Sequence, residues 1–366
     1  MAASAVDLKS AFKYDLRSFP HTLFESVGLM HEPQKSTLAD NIWKRTALPM
    51  DTQYVLDGGA LLHRIPWNKG STFSEIFKTY SDYVLNKYGE AIVVFDGYEV
   101  ASTKDLTHMR RSKGKSGPIV SFTPDMKLSG TKDLFLSNKT NKQNFISMLG
   151  AELQKYNCKV YHDSADADYL IVKKNIDTAE SMDTILVGND TDLLVLLIFH
   201  TQPQGKYMFF VPEPKINTKV CVWNIKETKE KLGPILCKHI LFMHAFFGCD
   251  TTSRIYGFSK SAMMKRIKSA KTLMKAAEVF LSLHSSSAEI QKAGEQAMTI
   301  LYNGNPDESL NGLRYKRYNE KVATNIDHVQ PQVLPPTEAA TKFHSFCVYH
   351  QICPVSYTHL RAHETL

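Results

Sequence analysis

What this chain has little of narrows it first. Its 366 residues carry six cysteines, at 158, 221, 237, 249, 347 and 353, and no two of them form a Cys-x-x-Cys pair. Neither a disulfide framework nor a thiolate zinc site is expected, and a reducing intracellular compartment fits. Long apolar runs are missing too. The longest, Leu193–Phe199, has seven residues, whereas a helix that spans a bilayer needs about 20. No membrane partner is expected. Met1–Ser10 lacks the apolar centre of a secretory leader, and no repeat of solenoid period is present.

The remainder has the composition of a globular protein, 43% hydrophobic and 22% charged. That excludes wholesale disorder, collagen-like repeats and a coiled coil. The length allows two or three domains of about 100–200 residues each. The net charge of +7 suits a polyanionic partner without specifying one.

Residues 1–50 have no clean period and read as an N-terminal extension. Order begins at Gln53. Gln53–Leu56 is a β-type run ending at Asp57, and Phe73, Ile76, Phe77, Tyr80, Tyr83, Val84 and Tyr88 recur at helical spacing. Ile92–Phe95 is a continuous apolar strand ending at Asp96-Gly97. A helix over Gln143–Tyr156, a strand at Lys159–Tyr161, a helix opening near Ser164 and a strand at Thr184–Val187 follow. Strands with continuous apolar cores alternating with helices predict an α/β fold with a parallel sheet flanked by helices. Beyond Val222 the pattern is helical, at His239–Phe247, Ser259–Ile267, Lys271–Leu283 and Ser287–Tyr302. The organisation expected is a 51–222 core with an insertion at about 100–142, then a helical region over 223–305. A linker and truncated C-terminal segment fill 306–353, and 354–366, which has no periodicity, reads as an artefactual tail.

The aspartates fall in a telling place. Asp57 and Asp96 each end a predicted strand, Asp190 and Asp192 follow a third, and Asp166 and Asp168 open a helix after a fourth. In a parallel sheet all such ends share one edge, where ligand sites collect. An Asp-Gly after a strand is commonly only a turn, and an aspartate at a helix start is commonly only a cap. Six carboxylates on one edge also repel one another, which protonation, basic side chains or hard divalent cations could offset. Two such ions about 3.5–4 Å apart can activate a water and stabilise the leaving oxygen of a phosphodiester. Helical residues at i and i+2 diverge by roughly 200°. Asp166/Asp168 and Asp190/Asp192 can therefore share a site only if the first of each pair precedes its helix, with Ser164 and Asn189 in the cap region.

Together these residues resemble the flap-endonuclease (XPG-type) branch of the PIN-like 5′-nuclease superfamily, over about residues 53–285. The matching elements are Asp57-Gly58, Phe95-Asp96-Gly97, Asp166-Ala167-Asp168, Asp190-Thr191-Asp192 and Gly248-Cys249-Asp250, in that order. The resemblance implies a PIN/flap-endonuclease-like fold with a helix–two-turn–helix region. It also implies Asp57, Asp96, Asp166, Asp168, Asp190, Asp192 and Asp250 as ligands of Mg²⁺ or Mn²⁺, two ions in all. Lys104 and Arg111, seven residues apart, would contact the scissile phosphate, with Arg110 as an alternative to Arg111. The turn Ile255–Lys260 resembles the one that offers backbone amides to duplex phosphates, which makes Gly257, Ser259, Lys260, Lys265 and Arg266 candidate nucleic-acid contacts. The acidic pair here is Asp where the family commonly has Glu, and no clamp-binding motif is visible.

The function expected is a metal-dependent DNA nuclease, Mg²⁺-dependent and structure-directed, located in the nucleus. The competing readings are a catalytically silent nucleic-acid- or protein-binding module on the same fold, a PIN-type ribonuclease acting on RNA, and a phosphatase or nucleotidyl-handling enzyme. The long basic segment 254–275 counts against the last.

Overall fold

In a computed structural model of the chain, the described residues are 7–32, 39, 47–97, 116–163, 167–202, 204–213, 221–324 and 328–361, with side chains to 353. The chain divides into two compact units: Ile42–Lys231, and Met1–Asn41 together with Leu232–Leu366.

The second of these begins with a short helix α1 (Leu8–Ala11) and a hairpin of β1 (Phe24–Ser26) and β2 (Leu29–Met30). This stretch, expected as an extension, is pinned to residues far along the chain. The amide of Tyr256 donates to Thr22 O at 2.9 Å and the Thr22 hydroxyl donates to Leu334 O at 2.9 Å. Phe12, fully buried, packs against the rings of Tyr315 and Tyr318.

The Ile42–Lys231 unit is built on one sheet. Strand β3 (Gln53–Asp57) runs directly into α2 (Gly58–Arg64). Helix α3 (Phe73–Tyr88) starts at a capping box of Thr72 and Glu75 and leads to β4 (Ile92–Phe95). Helices α4 (Lys132–Leu136) and α5 (Lys139–Gln154) precede β5 (Lys159–His162). Then come α6 (Asp168–Thr178), β6 (Thr184–Val187), α7 (Thr191–His200), β7 (Met208–Val211) and β8 (Trp223–Asn224). The strand order is β5-β4-β3-β6-β7-β8. All pairings are parallel except that of β7 with β8, so the expected α/β class, with a mostly parallel sheet flanked by helices, is what the chain adopts. Every residue of β4, β6 and β7 is buried, as central strands covered on both faces require.

Several boundaries moved for local reasons. Helix α5 begins four residues before the expected Gln143, because Asn138 caps it by accepting from the amides of Thr140 and Asn141. Helix α6 begins at Asp168 rather than near Ser164. The run Leu193–Phe199 lies within α7 and is buried on nearly every residue, so it has no amphipathic period to read.

The helical unit resumes with α8 (Ile225–Leu232), which straddles the division, and α9 (Pro234–Phe246). It continues with α10 (Lys260–Ser269), α11 (Lys271–Leu281), α12 (Ser287–Leu301), α13 (Leu310–Thr324), a 3₁₀ turn at Pro331–Val333 and α14 (Glu338–Arg361). The stretch 306–353, expected as a linker and C-terminal remnant, holds α13 and most of α14. Its inward faces are polar enough to disguise them. Arg314 is 2% exposed and donates to Pro335 O, and α14 buries Thr341, His344 and Ser345 in line with Val348 and Ile352.

Candidate metal and nucleic-acid site

The sheet brings its carboxylates together through strand order. The chain runs β3, β4, β5 outward on one side, then returns to lay β6 on the other side of β3. Such a reversal opens a crevice at the carboxyl ends of the strands. Register aligns the ends: Asp57 pairs with Val94, and Leu56 with Val187.

Asp57 caps α2. Its Oδ1 accepts from Gly59 N at 2.8 Å and Ala60 N at 3.1 Å. Gly58 is needed here, since a Cβ would lie 2.3 Å from Cδ1 of Phe95. The glycine of the first Asp-Gly thus abuts the phenylalanine of Phe-Asp-Gly. Asp96 accepts from Ala167 N through Oδ1 at 3.0 Å, tying the end of β4 to the residue before α6. A Cβ on Gly59 would sit 3.1 Å from Asp57 Oδ1 and 3.3 Å from Asp96 Oδ2. Both carboxylates therefore reach over one point, where a Cβ would crowd them.

Asp190, in extended conformation, is itself the cap of α7, and its Oδ1 accepts from Asp192 N at 3.0 Å. The pair thus meets the i, i+2 condition, with the first residue before the helix. Carboxylate oxygens of the two lie within 4.8 Å of each other. Asn189, expected in the cap region, instead accepts from Glu213 N at 3.1 Å. Asp168 stands in the first turn of α6. Burial pushes the Asp57 carboxyl up to about 6, opposed by its amide bonds and reinforced by the charges of Asp96 and Asp190. Asp96 and Asp190 are thus close enough to repel Asp57. A hard divalent cation fits such an all-oxygen donor set around a glycine-floored gap and would relieve the repulsion.

Asp166, Lys104, Arg110 and Arg111 lie outside the described residues. Asp250 belongs to the helical unit, in the turn after α9. There Cys249 N donates to the Thr252 hydroxyl at 3.1 Å.

The candidate nucleic-acid contacts, all in the helical unit, divide into two kinds. Gly257 has φ +79°, with open space where a Cβ would be. Ser259 caps α10 by accepting from Ala262 N. Lys265 is exposed. Lys260 and Arg266 differ from expectation. Lys260 is 4% exposed, with Nζ 3.1 Å from His244 Nδ1. The Arg266 guanidinium donates to Ile300 O, Leu301 O and Asn303 Oδ1, satisfying the carbonyl end of α12. Arg266 is held there by carbonyls that need donors.

A basic residue outside the expected set lies on the inward face of α5. Lys142, in α5, is 8% exposed, and burial holds its ammonium below the usual lysine range, opposed by the charges of Asp96 and then Asp57. Its spacing from Phe145, Ile146 and Leu149, the inward face, was the available signal.

No protein-family model matches the chain, and no curated protein matches it. Among solved structures it is similar to the catalytic core of Rad2 in complex with DNA substrate, with a TM-score of 0.44 and 14% identity. The likeness covers 88% of this chain and 85% of that one. A superposition this loose assigns no residue a role, and the α/β class rests on the sheet itself.

Proposed function

We propose that this chain is a metal-dependent nuclease that hydrolyses phosphodiester bonds in DNA, structure-directed in its choice of substrate. The observation that carries the reading is the convergence of Asp57, Asp96 and Asp190 on one edge of the parallel sheet, where burial first, and the charges of Asp96 and Asp190 after it, raise the Asp57 carboxyl to about 6. Asp57, Asp96, Asp168, Asp190 and Asp192 hold Mg²⁺ or Mn²⁺ in this reading. Asp166 and Asp250 join them by their order in the sequence. When bound, two such ions activate water and stabilise the leaving oxygen.

The remaining roles belong to the chain. Amides at the starts of α2 and α7 hold the Asp57 and Asp190 carboxylates in fixed orientations. Lys104 and Arg111, or Arg110, orient the phosphate and oppose its developing charge. The Gly257–Ser259 turn offers amides to duplex phosphates, beside Lys265.

The test is cleavage of a labelled panel of single-stranded, duplex and 5′-flap DNA and an RNA counterpart, with Mg²⁺ or Mn²⁺. Asp190→Asn is the control, since Asn keeps the cap of α7. Cleavage that needs the ion, and falls at least about 100-fold in the variant with an unchanged melting temperature, is expected. Ion-independent cleavage, or equal loss of folding and cleavage, overturns the reading.

A further inference from the structure

Lysine is seldom fully buried unless paired. Lys142 is 8% exposed, while Lys139, one turn earlier in α5, lies exposed. Topology places this turn of α5. In a parallel β4–α5–β5 crossover the helix begins over the carboxyl ends of the strands, and Lys142 is in that first stretch of α5. This is the edge where Asp57 and Asp96 meet over Gly59.

The rotation of this turn is fixed by its neighbour. The Asn141 amide donates to Pro118 O at 2.9 Å and Phe135 O at 3.2 Å, and accepts from Val120 N at 2.8 Å. The next residue is thereby committed to its buried direction. Burial draws the Lys142 ammonium down in pKa, while Asp96 first and Asp57 second hold it up.

We propose that Lys142 is a resident counter-cation of the carboxylate edge, holding Asp57 and Asp96 together before a divalent ion arrives and opposing that ion's entry with its own charge. The second half rests on the nuclease reading; the first does not. The role is one of positioning and charge. It also differs from that of the phosphate-directed cations expected at Lys104 and Arg111, because the Lys142 charge is set against Asp96 and Asp57.

The experiment uses the full chain stripped of metal with EDTA, as wild type, Lys142→Met, Asp96→Asn and the double variant. Lys142→Met should lower the melting temperature by several degrees. Adding Asp96→Asn should restore much of that loss, because it removes a charge left unopposed. If Lys142→Met does not fold, folding of the double variant supports the pairing, and failure of both overturns it. Additive losses also overturn it, making Lys142 a packing residue only. Mn²⁺ is then titrated calorimetrically into wild type and Lys142→Met, or into Asp96→Asn and the double variant if Lys142→Met does not fold. The dissociation constant should fall about 5-fold or more on losing the lysine, the scale of one removed charge near the ion. Unchanged or weaker binding overturns the opposition to metal. If no variant binds Mn²⁺ while the Lys142–Asp96 coupling persists, the nuclease reading fails and the counter-charge role stands.

Discussion

A carboxylate that caps a helix directs an oxygen toward backbone amides, and the same arrangement can position it for a ligand. Asp57 and Asp190 both do this, so for them the turn or cap reading and the site reading are not rivals. The electrostatic cost remains. The folded Asp57 carboxyl, at about 6 against an ordinary 3.8, holds its proton more tightly than the unfolded chain does. Its contribution to stability is therefore present at low pH and lost as pH rises from about 4 through about 6. Asp57→Asn, which keeps the cap, should raise the melting temperature of metal-free protein at pH 7 and flatten its pH dependence across that window. Thermal melts in EDTA check both. A variant less stable at pH 7 would mean that nearby cations outweigh the burial and repulsion acting on Asp57.

At the scale of elements, the helix termini decide which basic residues can reach a polyanion. Arg266 is tied to the carbonyl end of α12, whereas Lys265, its neighbour in sequence, is exposed. Arg266→Gln should lower the melting temperature with little specific effect on binding. Lys265→Ala should leave stability unchanged and reduce the salt slope of DNA binding by about one. Fluorescence-anisotropy titrations at several salt concentrations separate the two. Packing makes a sharper demand at Gly294 in α12, where a Cβ would lie 1.8 Å from Ser345 Oγ of α14. Gly294→Ala should destabilise by about 1–3 kcal/mol in urea unfolding, and Ser345→Gly should return part of that loss. An inert Gly294→Ala would show that α12 and α14 do not pack this tightly.

For the whole molecule the relevant quantity is its net charge of +7. If the partner is DNA, the phosphates supply most of the affinity without reading sequence. The dissociation constant for duplex DNA should then rise at least about 10-fold between 50 and 200 mM salt, with little change between sequences. A salt-independent constant would point away from a nucleic-acid partner.

The sequence by itself determined the α/β class, the strands at Gln53–Leu56, Ile92–Phe95, Lys159–Tyr161 and Thr184–Val187 to within a residue, and the positions of Asp57, Asp96 and Asp190 at or just past strand ends. Ile92–Phe95 and Thr184–Val187 were legible because a parallel strand buried on both faces leaves a continuous apolar run, and a charge past its end interrupts that run in plain view. The helices α13 and α14 stayed hidden because their inward faces carry Arg314, Thr341, His344 and Ser345, whose burial depends on partners far along the chain. Tertiary structure alone decided that Lys260 and Arg266 turn inward and which charges oppose that of Lys142. A long basic side chain reads the same in sequence whether solvent, a carbonyl cluster or a carboxylate receives it. Only packing brings that receiving group within reach.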